Sequence, residues 1–138
     1  PGMSTNRPYT AVLEKLKAAG LRPTKQRLAL ARLLLDGTDR HVTAEELHRE
    51  AQAAALPVSL ATVYNTLHQF TQAGLLRELV VDSGRSYFDT NVSHHHHFFY
   101  EDGGHLQDIP GDAVQIARLP EPPGDASIAR VDVIIRVR

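Results

Sequence analysis

The order of two hydrophobic periodicities constrains the fold of this chain more than any other feature. Up to Gly74 the apolar residues recur three and four positions apart, which is typical of helices that bury one face. From Leu75 to Val81 and from Arg85 to Asp89 they alternate instead, which indicates two strands that turn at Ser83-Gly84. Three or four helices followed by a hairpin predict a winged helix-turn-helix domain. A generic small α+β domain is the alternative at this point.

Capping residues place the helix boundaries. A first helix is expected over residues 9 to 19 and closes at Gly20, while Thr24 caps a second helix. Thr43-Ala-Glu-Glu46 is a capping box, whose two end side chains satisfy orphan amides, and it opens a third helix. Ser59 caps a fourth helix that carries a stripe of apolar residues on one face. That stripe consists of Leu60, Val63, Leu67 and Phe70.

The opposite face of the fourth helix and the distribution of charge both point toward DNA. This face is small, polar and nearly uncharged, whereas an ordinary solvated helix carries more Lys and Glu. The formal net charge is −1, but residues 7 to 32 hold seven Lys or Arg against one Glu, a net of +6. Residues 91 to 138 hold four Arg against seven acids, a net of −3. A basic N-terminal stretch is suited to binding DNA. A helix face exposed to solvent explains the same charges equally well.

The residues after Asn91 have a different character. Short strands are expected over residues 97 to 101 and 105 to 109, a helix over 112 to 119, and a β-branched strand over 128 to 137. About 47 residues are too few for a robust independent core. This part is therefore expected to pair with a second copy of itself.

The composition limits the chemistry of any site. The chain has no cysteine, which excludes disulfides, thiolate zinc sites and cysteine-ligated haem. A metal must be held by histidine nitrogen and carboxylate oxygen, and such ligands suit Mn(II), Fe(II) or Zn(II). No apolar run approaches the roughly 20 residues that span a membrane, and no secretory segment opens the chain, so a cytoplasmic protein is expected. The opening Pro1-Gly-Met3-Ser is interpreted as an expression remnant ahead of Met3.

Five residues form a candidate metal site. His95 and His97 are two positions apart, so an extended segment projects both to one face. Asp89 lies six residues before His95, and Asp108 lies on the neighbouring predicted strand. His41, just before the third helix, could close the set from the N-terminal half. Three nitrogens and two carboxylates would make a five-coordinate site of the kind that accepts Fe(II) or Mn(II).

The run from His94 to His97 leaves a second question open. His94 and His96 project to the other face of the strand, where they could serve a second metal site or haem. Purification tags lie at chain ends and this run is internal. A non-specific metal sink remains an alternative interpretation.

These segments together resemble the ferric uptake regulator superfamily over nearly the whole chain. Gly20-Leu-Arg-Pro-Thr-Lys-Gln-Arg27 is similar to that family's entry into the second helix, and His41-Val-Thr-Ala-Glu-Glu-Leu47 is similar to its third helix. Ser59-Leu-Ala-Thr-Val-Tyr64-Asn resembles its recognition helix, with Tyr-Asn where the family usually has Tyr-Arg. The spacing of the five candidate ligands resembles the regulatory metal site of the family's peroxide sensors.

Within the superfamily, the resemblance is closest to the iron response regulator branch. It is carried by five segments: Pro57 to Leu67, Tyr87-Phe-Asp-Thr-Asn91, the histidine run with its aromatics, Asp108-Ile-Pro110, and Ile128 to Arg136. The resemblance implies a dimeric bacterial DNA-binding regulator, mainly a repressor, of iron and haem homeostasis genes. It implies haem as a second ligand, with a haem-synthesis enzyme as a candidate haem donor.

Two departures from the family pattern affect this interpretation. Tyr100 and Gly103 stand where most of the superfamily has a Cys-x-x-Cys pair, so the four-cysteine zinc site is absent. The cysteine-containing haem motif of some iron response regulators is absent too. Haem binding must then rely on the histidines of the run, which are His94, His95, His96 and His97.

Two domains are therefore expected. Residues 4 to 90 would form a winged-helix DNA-binding domain, and residues 91 to 138 would form an α/β domain for dimerisation and for metal or haem sensing. A homodimer is expected to place two recognition helices in successive major grooves of an AT-rich inverted repeat. Tyr64 would contact thymine methyls or sugar-phosphate, and Asn65 suits adenine. Ser59 and Thr62 are also expected to contact base edges or phosphates. Four cations are expected to bind phosphates: Lys15, Lys25, Arg27 and Arg85.

Metal binding is expected to tie His41 to the other four ligands across a hinge, and haem would compete for those ligands. The alternative within the superfamily is a peroxide sensor, in which Fe(II) and peroxide oxidise His41 or His95. A second class is an iron or manganese oxygenase. We expect no enzyme, because no acid–base pair lies outside the ligands and too little chain remains for a substrate cavity. A metal-storage role leaves the recognition helix unexplained.

Overall fold

A computed structural model describes the backbone of residues 2 to 82 and 84 to 138, and the side chains from residue 10 onward within those ranges. The chain divides into two compact units, Pro1–Val92 and Ser93–Arg138. Among the described residues, no helix combines the length and apolar character needed to cross a lipid bilayer. Each unit is built around a three-stranded sheet.

Four helices form within the described part of the first unit: α1 (Gly2–Ala18), α2 (Lys25–Leu35), α3 (Ala44–Ala53) and α4 (Leu60–Gln72). The three predicted N-caps are confirmed. Thr24, Thr43 and Ser59 each accept a hydrogen bond from the main-chain N–H three residues later, at 3.1 to 3.2 Å. The first helix begins at Gly2, well before the predicted start at residue 9.

A small antiparallel sheet completes the first unit. It contains β1 (His41–Val42), β2 (Arg77–Asp82) and β3 (Arg85–Asp89) in the order β1-β3-β2. The predicted hairpin is confirmed, with Leu79 opposite Tyr87. Gly84 has a φ of +80°, which a tight turn requires and which glycine adopts without steric cost, while Ser83 lies outside the described residues.

The core of the first unit lies between the helices and the sheet. Phe70 of α4 and Phe88 of β3 are fully buried there. The predicted stripe of α4 is confirmed at Val63, Leu67 and Phe70. Thr66, predicted on the open face, is also buried, because its hydroxyl donates to the Thr62 carbonyl at 2.8 Å and so needs no water.

The second unit is a mixed sheet of β4 (His95–Tyr100), β5 (His105–Pro110) and β6 (Ile134–Val137), in the order β5-β4-β6. The central strand β4 pairs with β5 antiparallel and with β6 parallel. Phe99, Leu106 and Ile109 provide its buried apolar side chains. Both strands predicted around the Asp102-Gly103-Gly104 turn are confirmed.

Two predictions for the second unit are wrong. The helix expected over residues 112 to 119 is only a 3₁₀ turn, Gly111–Ala113, because the following side chains are mostly exposed and a short helix without packing is marginal in water. The strand expected over 128 to 137 forms only at Ile134–Val137. Its ladder stops there because the N–H of Val133 donates to the His96 Nδ1 atom at 3.1 Å.

Candidate metal ligands and the nucleic-acid interface

The first unit holds two of the predicted metal ligands as a pair. His41 on β1 and Asp89 on β3 are opposite one another in the antiparallel register. The His41 Nε2 atom lies 3.4 Å from Asp89 Oδ2. The Asp89 side chain is almost completely buried, and its Oδ1 atom accepts a hydrogen bond from the Asn91 N–H at 2.9 Å. A buried carboxylate needs a compensating hydrogen-bond donor or cation. The His41–Asp89 pair is therefore suited to bind a cation.

The second unit brings the other three predicted ligands together. The Nε2 atoms of His95 and His97 lie 3.6 and 3.4 Å from Asp108 Oδ1. The strand register causes this meeting, because β4 places His97 opposite Asp108 and His95 two positions away on the same face. Both imidazoles are buried, and their ring centroids are 4.6 Å apart.

The hydrogen bonding of His95 fits a metal ligand. Its Nδ1 atom lies 2.7 Å from the Ser93 carbonyl, and a carbonyl only accepts, so Nδ1 donates. A neutral imidazole then carries its lone pair on Nε2, the atom that faces the Asp108 carboxylate. Two electron-rich groups are stable side by side when a cation or a proton lies between them. The donor set therefore fits a divalent metal that accepts imidazole and carboxylate.

The other two histidines of the run are His94, which directly precedes β4, and His96, which lies on the face of β4 opposite to His95 and His97. Their ring centroids are 5.1 Å apart. His96 is buried and bonded to Val133, whereas His94 is exposed beside Gly111. Of the four predicted haem ligands, His94 is thus the accessible one, while His95, His96 and His97 are at most 4% exposed.

An aromatic stack lies where the superfamily resemblance places a cysteine pair. The Tyr100 and His105 rings are nearly parallel, with centroids 4.2 Å apart, and they join the ends of β4 and β5. The Tyr100 hydroxyl donates to Gln107 Oε1 at 2.7 Å. A side chain at Gly103 would come within 2.8 Å of His105 Nδ1, so the glycine leaves room for the stack.

Two of the predicted DNA-contacting residues of α4, Thr62 and Asn65, line one surface depression. Asn65 is exposed, and Ser59 is engaged in capping, where its hydroxyl also donates to Thr62 Oγ1 at 3.0 Å. The depression continues from α4 onto the start of α2, which carries Arg27. It is lined by Thr24, Gln26, Arg27, Thr62, Asn65, Thr66 and Gln69.

The predicted phosphate-binding cations differ in how they are held. Lys15 and Lys25 are exposed. Arg27 donates to Gln69 Oε1 at 3.1 Å and to the Arg22 carbonyl at 2.9 Å, so its guanidinium is oriented at the edge of α4. Arg85 on the hairpin forms an ion pair with Asp82 at 2.9 Å. This hydrogen-bonded pair raises the pKa of Arg85.

Sequence reasoning missed two residues that orient this surface. Gln69 holds Arg27 although 42 positions separate them. Glu45 on α3 accepts a hydrogen bond from the Tyr64 hydroxyl at 2.7 Å across 19 positions. That hydrogen bond raises the pKa of Tyr64 and lowers the pKa of Glu45. No local pattern signals either contact, because both depend on how helices pack.

The sequence profile of the Ferric uptake regulator family matches residues 18 to 121, three quarters of the chain. The chain belongs to the ferric uptake regulator family. Ferric uptake regulation proteins of Shigella flexneri and Klebsiella pneumoniae are 37% and 33% identical to it, over 79 and 102 residues. These matches cover 57% and 73% of this chain and 53% and 66% of the relatives. The chain spans about half the length of most of the curated relatives it matches.

Solved structures of this family share the fold. The ferric uptake regulator of Pseudomonas aeruginosa with manganese superposes with a TM-score of 0.68 at 25% identity, covering 91% of this chain and 95% of its own. The ferric uptake regulator of Vibrio cholerae superposes with a TM-score of 0.71, also at 25% identity, covering 91% of this chain and 97% of its own. The predicted α+β class, a winged helix-turn-helix followed by a small α/β domain, is confirmed.

Proposed function

We propose that this chain is a metal-responsive transcriptional regulator that binds double-stranded DNA as a homodimer, with α4 as its recognition helix. The observation that carries the proposal is the depression in which Thr62 and Asn65 of α4 adjoin Arg27 of α2. Short polar side chains fit the major groove, and adjacent cations neutralise phosphates. The Shigella flexneri relative carries the name ferric uptake regulation protein, which supports a regulatory role.

The proposed regulatory ligand is one Fe(II) or Mn(II) ion, with Zn(II) as a ligand in vitro. It would be bound by the pair His41 and Asp89 of the first unit together with His95, His97 and Asp108 of the second. Each set alone supplies only two or three ligand groups, fewer than these metals take. An ion that recruits both sets would restrict the dimer to arrangements that fit an inverted repeat. Manganese in the Pseudomonas aeruginosa relative supports this choice of metal.

Mn(II) titration followed by electron paramagnetic resonance tests this shared site. We expect His41→Ala and His97→Ala each to weaken binding by at least about tenfold, because each removes one ligand of the same ion. His105→Ala is the matched control, since His105 stacks on Tyr100 outside the ligand set. If His41→Ala binds Mn(II) like the unsubstituted protein, the second unit binds metal alone and the shared site is wrong.

The finer assignment we propose is the iron response regulator branch, acting in the cytoplasm on AT-rich operators of iron and haem homeostasis genes. Haem would release the protein from DNA, with His94 as its first ligand because that imidazole is exposed. Recruitment of a second histidine of the run would then disturb the metal ligands on β4. A His94→Ala variant is expected to need more haem for the same release.

Fluorescence anisotropy with a labelled AT-rich inverted repeat tests the function as a whole. The protein is measured without metal, with Mn(II), and with Mn(II) plus haem. Binding that needs Mn(II) and is abolished by haem supports the proposal. Binding that ignores haem but is lost with Fe(II) and peroxide would identify a peroxide sensor instead. Equal binding with and without metal, or no effect of Tyr64→Ala, would contradict metal-responsive binding through α4.

A further inference from the structure

A carboxylate lies beside the proposed DNA-reading helix, where electrostatics alone disfavours it. Glu45 is exposed on α3, and its Oε1 atom is 2.7 Å from the hydroxyl of Tyr64 on α4. DNA phosphates repel an anion at such a surface. A carboxylate at this position therefore either weakens DNA binding or has a second effect that offsets the repulsion.

The Tyr64 ring is also held from its other side. It stacks on His68, one helical turn along α4, with centroids 6.4 Å apart and planes inclined by 20°. His68 in turn meets the edge of Phe88, with centroids 5.7 Å apart. Phe88 is fully buried in the core, so this sequence of contacts is anchored. The phenol is therefore fixed at its hydroxyl by Glu45 and along its ring by His68.

Fixing a side chain before association removes an entropic cost that binding would otherwise meet. The hydrogen bond also commits the hydroxyl proton to Glu45, so the phenol can offer DNA its ring and the lone pairs of its oxygen, but not that proton. A tyrosine ring makes apolar contact with a thymine methyl or a sugar without needing that proton. By fixing the Tyr64 ring before association, the Glu45 carboxylate would favour DNA binding, whereas its repulsion of phosphates opposes binding.

We propose that Glu45 is a positioning residue for DNA recognition, which holds the Tyr64 phenol in its binding orientation from the neighbouring helix α3. Glu45 itself touches no DNA. The inference rests on the proposed function, because it requires Tyr64 to contact the operator.

The test compares Glu45→Gln with Glu45→Ala in the full chain with Mn(II), by operator anisotropy. The Gln amide oxygen still accepts the Tyr64 hydrogen bond and lacks the charge, so we expect affinity equal to or higher than that of the unsubstituted protein. Ala removes the acceptor, and we expect about three- to tenfold weaker binding than with Gln. Circular dichroism melting of both variants verifies that α3 is intact.

A Tyr64→Phe background separates positioning from other effects. This substitution leaves no hydroxyl to hold, so the Gln and Ala variants should bind the operator equally in that background. The inference is overturned if Gln and Ala raise affinity to the same extent, which indicates simple repulsion, or if their difference persists in the Tyr64→Phe background. Failure of the proposed function looks different, because Tyr64→Ala would then leave operator affinity unchanged.

Discussion

At the scale of single residues, the chemistry of this chain depends on which polar atoms face each other. The Asp89 and His97 side chains are almost completely buried, which is costly for polar groups unless each has a partner. The strands supply those partners, His41 for Asp89 and Asp108 for His97. Neighbouring strands therefore hold these side chains in the positions that the proposed metal site requires.

The Tyr64 hydroxyl provides a residue-scale prediction. Its hydrogen bond to Glu45 raises the pKa of Tyr64 above the ordinary 10.0. The folded state thus binds this proton more tightly than the unfolded state, a stabilisation fully present below pH 10.0 and lost as pH rises through the folded pKa. Glu45→Ala should lower the pKa of Tyr64 toward its ordinary value, because it removes the largest cause of the shift, as followed by carbon NMR of the labelled tyrosine rings. An unchanged titration of Tyr64 would show that the hydrogen bond is not formed in solution.

At the scale of elements, the N-terminus of helix α3 is stabilised by one side-chain hydroxyl, that of Thr43. Thr43 Oγ1 accepts from the Glu46 N–H at 3.1 Å and donates to the Glu46 carboxylate at 3.3 Å. Replacing Thr43 by Ala should lower the free energy of unfolding by about 1 kcal/mol, measured by urea denaturation and circular dichroism. Thr43→Ser keeps the hydroxyl and serves as the control. Equal loss in both variants would assign the effect to the Thr methyl group instead.

The start of strand β4 is constrained by a glycine. A Cβ atom at Gly111 would lie 2.3 Å from His94 Cδ2 and 2.9 Å from the His94 carbonyl oxygen. Gly111→Ala should therefore destabilise the protein by about 1 to 3 kcal/mol, because the main-chain oxygen cannot move without disturbing β4. Urea denaturation of Gly111→Ala and of the His94→Ala/Gly111→Ala double variant checks this. Complete recovery in the double variant would mean that only the imidazole was in the way.

At the scale of the whole molecule, the charge arrangement predicts how DNA affinity responds to salt. Lys25 is exposed, whereas Arg85 is paired with Asp82. Each phosphate contact contributes about 0.9 to the slope of log affinity against log salt, so Lys25→Ala should reduce the slope by roughly twice that in a homodimer. Arg85→Ala should reduce it less, because Asp82 already neutralises part of its charge. Anisotropy titrations across salt concentrations measure both slopes, and equal reductions would contradict the role of Asp82.

Local sequence was enough to predict the element types, the caps and the alternation of side chains along strands, because these depend on neighbours a few positions apart. Thr24, Thr43 and Ser59 mark the starts of their helices, and His95 and His97 share a face because strands alternate. The helix expected over residues 112 to 119 failed because local periodicity does not reveal whether a segment has anything to pack against. The shortening of β6 was equally unpredictable, since it depends on one imidazole 37 positions away.

Which distant groups meet was settled by tertiary packing. The Glu45–Tyr64 and Arg27–Gln69 hydrogen bonds join residues on different helices, and the register of β4 against β5 sets the distance from His97 to Asp108. Packing also leaves His94 exposed while the next three histidines are buried. The physical reason is that hydrogen bonds and packing contacts form only between groups that are close in space. Positions far apart in the sequence come that close only when helices and strands pack against one another.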